Sequence, residues 1–487
     1  MACSRRAFLS GTVAAAAALT ACGRSPSSPS TARFDLTAAI ERTEAQRPHS
    51  GRAVSATLTA QRSAVDLGGV NVRTLVYGDS VPGPLIRADV GDDIAVTVHN
   101  RLDHPTSVHW HGITLRNDMD GAAPATPDIS AGQSFTYRFS APRPGTYWAH
   151  PHTGLDADYG LYLPVIIDDP REPGDYDAEW IVVLDDWTDG VGPDPQQILD
   201  GLRTRGMGHM PSMGGMGSRL LGGDAGDVRY PAYLINGRVP AAPTSFPGKP
   251  GQRIRIRFVN AASDTAFRVA LAGHTMTVTH TDGYPVAPAD VDAVLIGMGE
   301  RYDVVVTAGD GVFALVAAAE GKDALARALL TTGAGSPPDP AFTPTELTGR
   351  VGTVSMFTAA PEANLWSGHS DVKLAARLSG GMMRYDWAIN GQPYEKHQPL
   401  GISQRQTATL TFANTTMMWH PMHLHGHTFQ VVRADGSPGA RKDTVIVQPR
   451  QNVGVALVAD NPGIWMLHCH NTYHQAADMM TSLDYTG

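Results

Sequence analysis

The chain has 487 residues, a formal net charge of −9 and 42% hydrophobic residues. At about 150 residues per domain, that length allows three domains with sizeable buried cores. An acidic chain without basic runs does not fit nucleic acid as a partner.

The N-terminus reads as an address. Ser4-Arg-Arg-Ala-Phe-Leu9 has the form of a twin-arginine export signal. The apolar segment after it, Val13 to Leu19, is too short to remain as a membrane-spanning helix. Leu19-Thr-Ala-Cys22 is similar to a bacterial lipobox. Residues 1–21 are therefore expected to be the cleaved signal. Cys22 is expected to carry lipid and to hold the protein on the outer face of the cell membrane, or in a periplasm. The alternative is an ordinary cleavage site with an incidental cysteine. Residues 22–50 then comprise a flexible tether, Gly23 to Ser30, and a short helix. That helix is expected over Asp35 to Arg47, with Leu36, Ala39, Ile40 and Thr43 on one face and Pro48 ending it. The chain has three cysteines. With Cys3 in the signal and Cys22 at the anchor, Cys469 has no partner for a disulfide.

From residue 53 onward the pattern changes to short alternating strands separated by Gly, Pro, Asn and Asp, the mark of an all-β sandwich or barrel. Three stretches repeat: Gly91 to Asn100, Gly251 to Asn260 and Gln404 to Asn414. Nine and eleven residues after Asn100 stand His109 and His111, and the same offsets from Asn414 give His423 and His425. From Asn260 they give Val269 and Leu271. A second comparison agrees. Five and seven residues after Gly145 and Gly463 stand His150 and His152, and His468 and His470, whereas Gly311 leads to Val316 and Ala318. One β-module is thus used three times, with histidines in the outer copies and apolar residues in the middle one. The expected units are 51–170, 171–340 and 341–487. Turn-rich linkers stand at Asp168 to Asp175 and Gly333 to Pro340.

Ten of the 19 histidines are candidate ligands grouped in four short clusters. Scattered core histidines do not group in this way. In Ile464 to His470, strand alternation points Cys469 one way and His468 and His470 the other. One strand can then serve two metal sites. A thiolate with two imidazoles and a weak thioether is the ligand set of a blue-copper centre. His420 and His474 can join Cys469, with Met479 as the thioether. His423 and His425 share a face and can serve a second cluster. His427 is expected to orient a ligand. His49, His99, His104, His274, His280, His369 and His397 read as structural or surface residues.

The blocks HWHG at 109–112, HPH at 150–152, HPMHLHGH at 420–427 and HCHNTYHQAADM at 468–479 resemble the copper-binding blocks of the multicopper oxidases. That family includes laccases and bacterial copper-tolerance oxidases, and the likeness runs from about residue 50 to the C-terminus, most of all to exported actinobacterial members. The resemblance implies three cupredoxin-like Greek-key β-barrel or sandwich domains, with copper between the first and third. It implies four copper ions. A type 1 ion would take His420, Cys469, His474 and axial Met479, with Met480 as the rival thioether. A type 2 ion would take His109 and His423. A type 3 pair would take His111, His150, His152, His425, His468 and His470. Cys469 would pass electrons on through His468 or His470, and dioxygen would be reduced to water. Asp120 matches the acid that supplies protons in the family; as sequence alone, Asp120-Gly121 is also a turn signal. Gln475 stands where many bacterial relatives have Glu, so a second carboxylate is in doubt.

The donor is read from methionines. Residues 206–217 place Met207, Met210, Met213 and Met216 among Gly and Pro, with His209 between them. Flexible thioethers suit Cu(I); the bland alternative is a loop with incidental Met. Met417 and Met418 resemble cuprous-ion positions of copper-efflux oxidases, although Thr416 stands where those tend to have Asp. The expected function is an exported, membrane-tethered oxidase that takes electrons from Cu(I), and from phenols or Fe(II), and so contributes to copper tolerance. The rivals are a laccase with a phenolic natural substrate, copper sequestration without turnover, and a cupredoxin-fold protein that has lost its metals. A copper nitrite reductase has no use for a six-histidine pair.

Overall fold

Each repeated strand ends on an asparagine, and the computed structural model shows why. Asn100, Asn260 and Asn414 close the strands Asp93–Asn100, Arg253–Asn260 and Thr407–Asn414. Each side-chain Nδ2 donates to two carbonyls across the following bend: His104 and Ile129, Thr265 and Ile296, Met418 and Val447. Each Oδ1 accepts from the backbone N–H two residues on, at Leu102, Ala262 and Thr416. A buried amide satisfied on both sides fixes how the chain leaves the strand. In the outer copies the next strand holds the histidines.

The structure describes residues 34–172, 174–205 and 217–487. The signal at 1–21, Cys22, the tether, and Met207, His209, Met210, Met213 and Met216 lie outside the described residues. Leu36–Gly487 form one compact unit. The expected helix spans Leu36–Glu44 and buries Ala39. Among the described residues, no helix is long and apolar enough to cross a membrane.

In each repeat the Asn-ended strand runs parallel to the first strand of its repeat: Ala53–Asp66, Ala178–Trp187 and Val372–Ser379. It runs antiparallel to a later one: Ser134–Ser140, Arg301–Thr307 and Asn452–Val458. Among the described residues this produces six sheets, two per repeat. The second sheet of each pair carries the metal-motif strands. His109–His111 pairs with Gly145–His150, setting His109 opposite His150. His420–Leu424 pairs with Ile464–Cys469, setting His423 opposite His468. The middle counterpart sets Val269 opposite Ala317 rather than Val316, so this copy is out of step by one residue. The short strand Val351–Gly352, beyond residue 340, adds to the middle sheet beside Ala293 and Val294.

The polar face of the alternating strand Arg253–Asn260 is buried from Ile254 onward. Arg255 and Arg257 are 3% and 1% exposed. Both bond the Asp303 carboxylate, and Arg257 also reaches Thr146 of the first repeat. The middle repeat thus packs a charged face against the first, which a lone β-module would leave in water.

Candidate metal centre

The strand Ile464–Cys469 lies in the last sheet with every residue from Trp465 onward buried. Cys469 Sγ lies 3.6 Å from His420 Nδ1 and 3.5 Å from His474 Nδ1, and the two imidazole nitrogens are 3.1 Å apart. His474 is held by the helix Thr472–Ala476, whose first turn is capped by the Asn471 side chain accepting from the Tyr473 and His474 amides. Met479 is fully buried, and its carbonyl accepts from the Cys469 amide at 3.1 Å. Met480 is partly exposed and lines a pocket beside His152 instead.

Outer partners orient both imidazoles, as metal-binding histidines require. His420 Nε2 lies 2.9 Å from the Thr416 hydroxyl. His474 Nε2 lies 3.0 Å from Asp227 Oδ2, which also accepts from Tyr385. Thr416 is therefore a positioning residue here. Of the two nearby methionines, Met418 is fully buried and Met417 is 60% exposed.

The other eight histidines converge between the first and third repeats. His109, His111 and His423 form one group, His111, His150 and His470 a second, and His152, His425 and His468 a third. Within them His425 and His468 face each other at 3.1 Å, and His152 and His468 at 3.3 Å. Alternation along one strand thus places Cys469 in one group and its neighbours His468 and His470 in two others.

The donor set fits a metal. His111 Nδ1, His150 Nε2 and both ring nitrogens of His470 are buried without a hydrogen-bond partner. An orphaned buried polar atom costs roughly 1–3 kcal/mol, so several side by side are retained only if something else satisfies them. Burial, reinforced by neighbouring imidazoles, holds His111, His150, His152, His425, His468 and His470 well below the usual histidine range. Neutral imidazoles are the ligand form. Burial also opposes charge on His474, but the Cys469 sulfur and the Asp227 carboxylate outweigh it and raise His474 to about 10.

Asp120, 1% exposed, stands between two groups. Its Oδ2 accepts from His425 Nδ1 at 2.8 Å, and its Oδ1 and carbonyl lie 3.2 and 3.0 Å from His109 Nδ1. His427 bonds the His425 carbonyl and the Tyr485 hydroxyl, so it steadies the backbone of a candidate ligand rather than the ring. Asp443 and Thr444 were not singled out by sequence. Asp443 Oδ1 and the Thr444 hydroxyl lie 3.1 and 3.2 Å from His111 Nε2, and the Asp443 carbonyl lies 2.9 Å from His423 Nδ1. Nothing in the Lys442-Asp443-Thr444 sequence marks it, because its partners are more than 300 residues away on one side.

Two glycines admit this packing. A Cβ on Gly112, the last letter of HWHG, would lie 2.2 Å from the Arg301 guanidinium and 2.6 Å from Asp443. A Cβ on Gly299 of the middle repeat would meet His470 and His111 at 2.8 and 3.0 Å. Both hold positive φ, +85° and +81°, which suits glycine.

Three family profiles, each described as multicopper oxidase, match residues 59–172, 178–335 and 369–486. Multicopper oxidase MmcO of Mycobacterium tuberculosis is 64% identical over 99% of this chain and 96% of its own length. Copper resistance protein A of Escherichia coli is 26% identical over 87% of this chain and 91% of its own. Among solved structures, the L499M mutant of the Botrytis aclada laccase superposes with a TM-score of 0.77 at 25% identity, covering 91% of this chain and 89% of the laccase. The domains are therefore of the all-β cupredoxin type. The chain belongs to the multicopper oxidase family. It is an oxidoreductase with copper as its cofactor.

Proposed function

We propose that the chain couples one-electron oxidation of Cu(I), and of phenols or Fe(II), to the four-electron reduction of dioxygen to water, and so contributes to copper tolerance. The observation that carries this reading is the single strand on which Cys469 sits in one buried group while His468 and His470 reach into two others. Relatives named copper resistance protein and laccase support it.

Three cupredoxin-like units at 51–170, 171–340 and 341–487 would share the work, with the ligands on the first and third. His420, Cys469, His474 and Met479 would hold a type 1 copper. His109 and His423 would hold a type 2 ion, and His111, His150, His152, His425, His468 and His470 a type 3 pair. Bound copper supplies one-electron redox chemistry and the site at which dioxygen is reduced. The chain's own residues do the rest. Cys469 is joined to His468 and His470 by peptide bonds, a short covalent path between the groups. Thr416 and Asp227 fix the rings of His420 and His474. Asp120 holds His425 and His109 and is placed to move a proton beside them. Four soft thioethers at Met207, Met210, Met213 and Met216, with His209, would gather Cu(I). Export by the twin-arginine signal and lipid on Cys22 would place this chemistry on the outer face of the cell membrane or in a periplasm; Cys22→Ala is expected to release the protein from membranes on fractionation.

Steady-state oxygen uptake by copper-loaded protein tests the function. Cu(I) is expected to drive uptake. Uptake with a phenol alone establishes the laccase reading, and copper binding without uptake from any donor establishes sequestration. Replacing the four loop methionines with Leu is expected to lower the Cu(I) rate and spare the phenol rate. Equal loss for both donors removes the loop from Cu(I) delivery.

A further inference from the structure

Reducing one dioxygen to two waters consumes four protons and four electrons, and the protons must come from solvent. Nine of the ten clustered histidines are buried, and His152 alone is partly exposed. It lines an open pocket of about 460 Å³ together with His104, Asp128, Asp156, Tyr394 and Met480. His152 faces inward through Nε2, 3.3 Å from His468, and its Nδ1 lies 3.5 Å from the Gln475 amide, which cannot carry a proton.

Within that pocket two titratable side chains are joined end to end. The His104 side chain is 41% exposed and that of Asp156 7%. His104 Nε2 lies 3.0 Å from Asp156 Oδ1, and its Nδ1 lies 2.8 Å from Asp103, on the solvent side. Asp156 Oδ2 accepts from the Thr106 and Thr153 hydroxyls at 3.1 and 3.4 Å.

We propose that the His104–Asp156 pair is a proton relay that loads from solvent at His104 and delivers into the pocket beside His152. Each passage balances. A solvent proton is taken up at Nδ1, the Nε2 proton of His104 moves to Asp156 Oδ1, and exchange of the part-exposed ring with solvent then carries the remaining proton from Nδ1 back to Nε2. Asp156 then releases its proton to solvent inside the pocket and returns to a carboxylate. Burial raises the Asp156 carboxyl above its ordinary value, against the pull of His104. Burial works against charge on His104, but Asp103 and Asp156 outweigh it and raise the imidazole. The charged and titratable neighbours of the pair are Asp103, Arg62, Tyr77, Asp128 and Tyr394.

The inference rests on the oxidase reading, and the test separates the two. Copper-loaded parent, Asp156→Asn, His104→Gln, Asp128→Asn and the surface control His369→Gln are reduced without oxygen, then mixed with oxygen across the neutral pH range. Asp156→Asn and His104→Gln are expected to slow reoxidation roughly a hundredfold and to flatten its pH profile, while anaerobic bleaching of the blue colour keeps its parental rate. In metal-free protein, histidine NMR is expected to show the His104 titration moving down in Asp156→Asn. Parental rates and profile in both variants overturn the relay, and an effect confined to Asp128→Asn overturns it in favour of that residue. A parent that never bleaches with any donor sinks the oxidase reading instead. His104→Gln, at the exposed end, keeps the test valid if Asp156→Asn does not fold.

Discussion

Arg301 grips Asp443 with two parallel hydrogen bonds, Nη1 to Oδ1 at 2.7 Å and Nη2 to Oδ2 at 2.6 Å, with both side chains fully buried. Arg301 begins a strand of the middle repeat, and Asp443 lies against His111 of the first repeat and His423 of the third. Burial alone would raise Asp443, but Arg301 holds it well below the usual carboxylate range. The middle repeat, without a clustered histidine of its own, thus sets a carboxylate behind two candidate ligands.

Arg301→Met should therefore do two things. Leaving a buried carboxylate unpaired costs about 3–5 kcal/mol, read as a drop in the denaturant midpoint. Loss of ring orientation at His111 and His423 should lower bound copper while the blue absorption at Cys469 persists. Full copper content in the folded variant would show that Asp443 positions neither ring.

Cys469→Ser should abolish blue absorption and donor oxidation and leave the eight-histidine groups loaded. The reason is that Cys469 is the thiol among the described residues and sits within 3.6 Å of both His420 and His474. Copper analysis beside the visible spectrum decides. Retained colour, or a copper content equal to the parent, contradicts the assignment.

Asp120→Asn should slow reoxidation by oxygen roughly a hundredfold or more while reduction of the blue centre stays fast. Asn keeps the shape between His425 and His109 but cannot carry the proton. Stopped-flow mixing with oxygen reads it, and a parental rate removes Asp120 from proton delivery.

Asp303 gives a stability prediction with a definite sign. Burial would raise its pKa, but Arg255 and Arg257 depress it far below the usual carboxylate range. A depressed carboxylate contributes stability above its unfolded pKa, about 3.9, and loses it as pH falls through that value toward the folded one. Urea midpoints of the parent should fall steeply below about pH 4. Asp303→Asn should be less stable at neutral pH, since Arg255 and Arg257 lose their shared partner, and should show a shallower acid limb. Parallel acid limbs in the two proteins would refute the linkage.

How much was legible beforehand differs by residue. The fold class and the histidine blocks were readable because both are local: strand alternation, the Asn-ended repeat and HxH spacing each operate within about a dozen residues. Alternation does not say what Arg255 and Arg257 meet, and their polar face packs against the first repeat. His104 reads only as structural or surface by sequence, because Asp156, its partner, stands 52 residues on.

The sequence by itself determined which side chains can bind metal and that Cys469 and its two neighbours point opposite ways along one strand. Those facts follow from residue chemistry and the two-residue period of a strand. Only the tertiary structure decided which histidines face one another, that Met479 is buried while Met480 turns to the pocket, and that Asp227, Asp443 and Arg301 stand behind the rings. Such partners lie far apart in the chain, His111 and Asp443 by 332 residues. They meet because the repeats pack buried faces together, and no short-range pattern encodes which buried groups will then touch.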